Sequence, residues 1–213
     1  MQLYVIPVGP LETNCYIVAS DIDAAGKKEA IVIDPGDEAG VILEKVSAEN
    51  LDVKYVVITH AHWDHIGAAV EVAKITNAKI AAHSMDIPAL NRPDKNLADL
   101  LGDKLTEHIK ADIELEDGMT LRFGNLEAYI LHTPGHSRGS ISVIIDDSLF
   151  TGDLIFYGSI GRTDFEGGSF EALSKSVNDK IFKYPDAVKI YPGHGPATTV
   201  GYERRNNPYF SGF

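Results

Sequence analysis

The chain is poor in cysteine and short of positive charge. Cys15 stands alone among 213 residues, so no intramolecular disulfide can form and a cysteine-rich structural zinc site is excluded. The lone thiol reads as a small buried hydrophobe in a strand. Lys and Arg number 19 against 31 Asp and Glu, a formal net charge of −12. Such a balance gives no support to sequence-independent binding of nucleic acid or of an anionic membrane. An anionic small molecule would need a local positive centre. No stretch approaches the ~18 uninterrupted apolar residues of a membrane span, and MQLYVIPVGPLETNCYIV at the start has no basic region before an apolar core. A soluble, cytoplasmic protein is expected.

What is present is ample core material, 44% hydrophobic residues, enough for one compact catalytic domain over residues 1–213. Apolar runs bounded by Gly, Pro and Asp predict strands at Leu3–Val8, Asn14–Ala19, Ala30–Ile33, Tyr55–Thr59 and Lys79–Ala82. A second group follows at Thr120–Phe123, Leu126–His132, Ser140–Ile145, Leu149–Thr151 and Val188–Tyr191. Helical periodicity covers Ala39–Glu49, Ile66–Thr76 and Ser169–Phe182, with a shorter candidate at Asn96–Leu101. Two groups of strands with interspersed helices suit an α/β fold in which two mixed sheets pack face to face with helices outside, an αββα sandwich. The polar segment Asn91–Asp112 reads as a surface crossover between the halves.

The chemistry concentrates in Thr59-His60-Ala61-His62-Trp63-Asp64-His65, between an apolar strand and a helical pattern. Four metal-capable side chains on one strand-to-helix loop can converge, because the turn breaks the alternation that would spread them. Three further segments end an apolar strand in a glycine turn carrying one candidate ligand: Thr133-Pro134-Gly135-His136, Thr151-Gly152-Asp153 and Pro192-Gly193-His194-Gly195. Seven ligands exceed the needs of one tetrahedral zinc, and five histidines among them do not suit the oxygen shells of Mg²⁺ or Ca²⁺. Two borderline divalent ions fit the set.

This arrangement resembles the metallo-β-lactamase superfamily, and the likeness runs from Asn14-Cys15-Tyr16 and Ile33-Asp34-Pro35-Gly36 to the last histidine turn. Within it, the chain looks most like the small glyoxalase II-type hydrolases. The resemblance implies that His60, His62 and His136 hold one metal, that Asp64, His65 and His194 hold a second, and that Asp153 bridges them. Asp64 and Asp153 are then the catalytic carboxylates. Zinc is the first expectation, with iron or manganese as alternatives. Two divalent ions against two carboxylates would supply the positive centre that the acidic chain otherwise lacks.

Asp34 is the candidate to accept the second ring N–H of a ligating histidine, against the plainer reading of an Asp-Pro-Gly turn. His83, His108 and His132 are left outside the metal set. The expected reaction is attack of a metal-activated water on a carbonyl, with no protein nucleophile. Cys15 is far from the ligand motifs and Ser137 lacks the G-x-S-x-G context. A small acyl thioester, such as S-lactoylglutathione, suits this chemistry because a thiolate leaves readily.

Arg162, where glutathione-thioester hydrolases carry a basic residue, is the candidate substrate clamp; the alternative is a surface arginine paired with Asp164 or Glu166. The chain departs from full-length glyoxalase II in lacking its C-terminal helical domain, and Thr163-Asp164 stands where that enzyme has a tyrosine. The tail Glu203–Phe210 resembles the closing segment of the short bacterial members and suggests a pocket wall or a dimer contact, so monomer and homodimer both stay open. The competing reading is a mononuclear iron persulfide dioxygenase of the same fold, which shares Gly161-Arg162-Thr163-Asp164-Phe165 and would use His60, His136 and Asp153. A lactonase fits the same chemistry, and a non-catalytic metal binder would need only four closed ligands.

Overall fold

The computed structural model describes residues 1–22, 26–101 and 108–210. The first sheet comprises β1 (Gln2–Val8), β2 (Thr13–Ala19), β3 (Lys28–Ile33), β4 (Leu51–Val57), β5 (Lys79–His83) and β6 (Ile113–Leu115), adjacent in that order. Its first two pairings are antiparallel and the last three parallel. The second sheet takes β7 (Thr120–Phe123), β8 (Leu126–His132), β9 (Ile141–Ile145) and β10 (Ser148–Gly152). After a small hairpin of β11 (Ile155–Phe156) and β12 (Ser159–Ile160), β13 (Lys189–Pro192) and β14 (Thr198–Thr199) complete it, in the order β14-β13-β10-β9-β8-β7.

Three apolar layers hold these parts together. All seven residues of β2 are buried, and they alternate. Cys15, Ile17 and Ala19 join Val32, Val56 and Ile58 under the helices α1 (Ala39–Ala48), α2 (Trp63–Ile66) and α3 (Ala69–Thr76). Tyr16 and Val18 instead face the second sheet, where Ile31, Ile33 and Val57 meet Phe123, Ile130, Val143 and Phe150. The outer face of the second sheet, through Leu149 and Ile190, is covered by Leu173 of α5 (Phe170–Ser176), with Val177 and Ile181 of the π turn that continues it, and by Val200 of α6 (Val200–Asn206). A sheet covered on both faces needs apolar residues at every position, which explains the continuous runs. The αββα expectation is met.

Local boundaries differ from the periodicity. Ile66–Thr76 is interrupted rather than one helix: a Cβ at Gly67 would lie 2.2 Å from the Gly36 carbonyl oxygen, and Ala68 donates its N–H to Pro35. The Asp34–Gly36 turn therefore sits against the helix start, and close approach wins over continuity. The short candidate at Asn96–Leu101 is reduced to the turn α4 (Ala98–Leu101), and part of the crossover, residues 102–107, lies outside the described residues. Among the described residues no helix is long and apolar enough to cross a membrane.

Candidate metal centre

The seven predicted side chains come together at the ends of β4, β8, β10 and β13. The ligand-capable atoms fall into overlapping groups whose members lie within 4.8 Å of one another: His60, His62 and His136; His60, His65 and Asp153; and Asp64, His65 and His194. Asp153 lies between the first and last groups. Its Oδ1 is 3.4 Å from His65 Nε2, and its Oδ2 is 3.6 Å from His136 Nε2 and 3.5 Å from His194 Nε2.

Four of the five histidines, all but His62, are aimed by a bond on Nδ1. His136 Nδ1 donates to the Arg162 carbonyl at 2.7 Å, which leaves Nε2 as a lone pair 2.8 Å from His62 Nδ1. His65 Nδ1 donates to Asp34 Oδ2 at 2.8 Å, and His194 Nδ1 to the Leu11 carbonyl at 3.1 Å. Asp34 also accepts the Thr59 N–H and hydroxyl at 2.7 and 2.6 Å. The spent Thr59 hydroxyl proton leaves its oxygen to accept from His60 Nδ1 at 3.1 Å. These contacts assign the tautomers and turn Nε2 of His60 and of His65 inward. Asp64 is fixed by the Thr13 hydroxyl at 2.9 Å.

The interior of the cluster asks for a cation. His60 Nε2, His65 Nε2 and Asp153 Oδ1 are buried without any hydrogen-bond partner among the described residues. A buried polar atom left unsatisfied costs about 1–3 kcal/mol, and mixed imidazole and carboxylate donors suit borderline divalent metals. The backbone leaves room for such a set: a Cβ on Gly193 would lie 2.1 Å from Asp153 Oδ1 and 2.8 Å from His65 Cε1.

Electrostatics divide the cluster. Burial and the neighbouring histidines hold His60 well below the usual imidazole range, and burial with His136 brings His62 down to about 3. Burial also acts against a charge on His65, but Asp64, Asp34 and Asp153 outweigh it and raise that pKa. His194, despite the cost of burial, is raised to about 9 by Asp153 and Asp64. Burial opposes ionisation of Asp64 and Asp153 too; His65 and His194 overcome it, bringing Asp64 to about 2 and Asp153 well below its usual range. His60 and His62 are held neutral, whereas His65 and His194 are ion-paired with carboxylates.

Further residues support the cluster, and Asp86 among them carries no sequence signal. Asp86, buried beside the cluster, accepts Ala61 N–H at 3.0 Å, the Ser137 hydroxyl at 2.7 Å and Gly139 N–H at 2.7 Å. It thereby ties the His60–His65 loop to the His136 turn. In the sequence it is an ordinary Asp before Ile87-Pro88. Asn14 holds the last turn, donating to the Pro192 and Gly195 carbonyls at 3.0 and 2.9 Å, and Tyr16 donates to Pro192. Buried Glu203 accepts the Gly158 N–H and the Thr198 hydroxyl, while Asn207 donates to Ser159, so the tail braces the β11–β12 hairpin that leads to Arg162.

The Arg162 guanidinium lies over Phe165, 4.0 Å from the ring centroid, and is bound in bidentate fashion by Asp164 at 2.9 and 2.8 Å. A substrate anion would have to displace that carboxylate. His83 and His132 stack on each other with centroids 4.1 Å apart, outside the cluster, and His108 is exposed. A cavity of about 220 Å³ opens beside His62, lined also by Ala61, Met85, Asp86, Lys95 and Arg138.

Fold and cluster together define a metallo-hydrolase. The family model for the metallo-beta-lactamase superfamily matches residues 8–194, and the chain belongs to that superfamily. It is 33% identical over 221 residues to hydroxyacylglutathione hydrolase GloC of Haemophilus influenzae, covering 99% of each chain. Among solved structures, the B3 metallo-beta-lactamase BLEG-1 superposes with a TM-score of 0.92 at 36% identity, over 99% of this chain and 100% of that one. TTHA1623, solved in a di-iron-bound form, superposes with a TM-score of 0.84 at 33% identity, over 97% of this chain and 99% of that one.

Proposed function

We propose that the protein is a binuclear metal-dependent hydrolase of a small acyl thioester, of the glyoxalase II type. The observation that carries the reading is the pair of adjacent ligand sets around Asp153, with three buried polar atoms left unpartnered between them. His60, His62 and His136 would hold one ion, Asp64, His65 and His194 the other, and Asp153 would be shared. Ions so placed supply Lewis acidity towards a carbonyl and lower the pKa of water.

The chain's own residues orient and exclude. Asp34, Thr59 and the Arg162 carbonyl hold three imidazoles in the tautomer that presents a lone pair. Among the described residues no side-chain nucleophile competes: the Ser137 hydroxyl bonds to Asp86, and Cys15 is wholly buried in β2. Asp86 is itself occupied by three donors. A thioester suits this setting because a thiolate leaves without being protonated. The GloC relative, named for hydroxyacylglutathione, supports the same class.

A mononuclear iron dioxygenase would use His60, His136 and Asp153, but it leaves the set of Asp64, His65 and His194 without a purpose. Elemental analysis of metal-reconstituted protein and hydrolysis of S-lactoylglutathione by wild type, Asp64→Ala and His194→Ala test the choice. Two metals per chain and turnover lost in both variants support the hydrolase. One iron per chain, with O₂ consumed on glutathione persulfide and no thioester cleavage, overturns it.

A further inference from the structure

The cavity beside His62 is bounded at its outer edge by two cations and one carboxylate. Lys95, half-buried, pairs with exposed Glu166 at 2.5 Å. Arg138 lines the same edge, and its guanidinium makes no ion pair within 4.0 Å among the described residues. Both cations act on one group: Lys95 first, then Arg138, holds the Glu166 carboxyl below its usual range. Glu166 thus occupies the place where a carboxylate is favoured. The lining is also apolar at Ala61, Met85 and Ala89, and the Asp86 oxygens are already taken by three donors.

We propose that this cavity receives a short arm of the substrate ending in a carboxylate, which replaces Glu166 on Lys95 and joins Arg138. The inference rests on the thioesterase reading for the chemistry but not for the binding. Three physical points carry it. An exposed ion pair such as Lys95–Glu166 contributes little net stability, so exchanging one carboxylate for another costs little. A cavity of about 220 Å³ is smaller than the ~300–1,000 Å³ of sites that enclose a drug-sized ligand, so it takes one arm and not a whole tripeptide conjugate. In a chain of net charge −12, two cations at the mouth give an anionic substrate a local point of attraction. Arg162, by contrast, is saturated by Asp164 and is absent from the lining.

The carboxylate could belong to either half of a thioester, and paired substrates separate the two. Succinyl and butyryl thioesters of N-acetylcysteamine differ only at the acyl end. Acetyl thioesters of 3-mercaptopropionate and of its methyl ester differ only at the thiol end. Metal-loaded wild type should prefer the carboxylate member of one pair in kcat/KM. Lys95→Met and Arg138→Met should each lower that value roughly tenfold, mainly through KM, while leaving the neutral partner unchanged. Glu166→Gln, which removes the internal competitor, should raise it roughly 2–5-fold.

Calorimetric binding of the corresponding thioether analogues, with the scissile carbonyl reduced to methylene, reads the subsite without turnover. If no thioester is cleaved but the carboxylate analogue binds more tightly and both variants abolish the difference, the subsite stands and the thioesterase reading fails. If binding and turnover are indifferent to the carboxylate, or if the variants weaken neutral and anionic members alike, the subsite is overturned even where thioesters are hydrolysed.

Discussion

Arg162 serves His136 through its main chain: the carbonyl accepts from Nδ1 at 2.7 Å while the side chain turns outward to Asp164. Arg162→Ala should therefore leave metal content and folding as in wild type, and any loss should fall on KM. Elemental analysis with Michaelis–Menten kinetics checks this. A loss of bound metal would show that the guanidinium, and not the carbonyl, supports the ligand.

Asp34 spends both oxygens inside the protein, on Thr59 and on His65. Asp34→Ala removes the acceptor that sets the His65 tautomer, and partners of this kind are worth roughly 10–100-fold in metal affinity. Metal competition titrations should show that loss, concentrated on the set of Asp64, His65 and His194. Equal affinity in the variant would contradict the role given to Asp34.

Asp86 satisfies three donors from two loops of the cluster, so Asp86→Ala strands the buried Ala61 and Gly139 N–H groups, while the Ser137 hydroxyl keeps Ser140 as a partner. Unsatisfied buried donors predict a cost of about 3 kcal/mol, before any relaxation or entry of water. Urea denaturation of the metal-free protein measures it. A shift under about 0.5 kcal/mol, the range of ordinary surface changes, would remove Asp86 from the framework.

Metal uptake by the His194 set should depend on pH, whereas His62 should impose no such dependence on its own set over the neutral range. His62, lowered to about 3, carries no proton to displace over the neutral range. His194, raised to about 9 in the metal-free protein, must lose its proton to bind an ion, so uptake by its set strengthens as pH rises towards that value and weakens as pH falls. At a fixed, buffered free-metal concentration, about one ion per chain near pH 6 and about two near pH 8.5 are expected. Stoichiometry that stays flat across this window would refute the division.

Cys15 is fully buried, and burial followed by the nearby Asp34 raises its thiol pKa well above the ordinary value. Native protein at pH 8 should react negligibly with a disulfide reagent, and one thiol per chain should appear on unfolding. Rapid modification of the native state would mean that β2 opens far more often than a central strand should.

The sequence by itself determined the parts that depend on local order. The continuous apolar run of β2, the strand-ending turns and the H-x-H-x-D-H loop are short-range patterns, and they named the αββα class and all seven residues of the cluster. Asp34, chosen because ligating histidines need a carboxylate, lies against His65. Only the tertiary structure decided the rest. Asp86 lies 51 residues from Ser137, and Asn14 lies 178 from Pro192, so no local pattern connects them. Whether Arg162 faces a substrate or Asp164 is set by side-chain rotation over Phe165, which composition does not encode. The cations beside His62 come from two loops distant in sequence, Lys95 and Arg138, and a cavity exists only once both chain segments have closed around it. Which residues could serve as ligands follows from residue type and order; the shape and charge of the pocket follow from long-range packing.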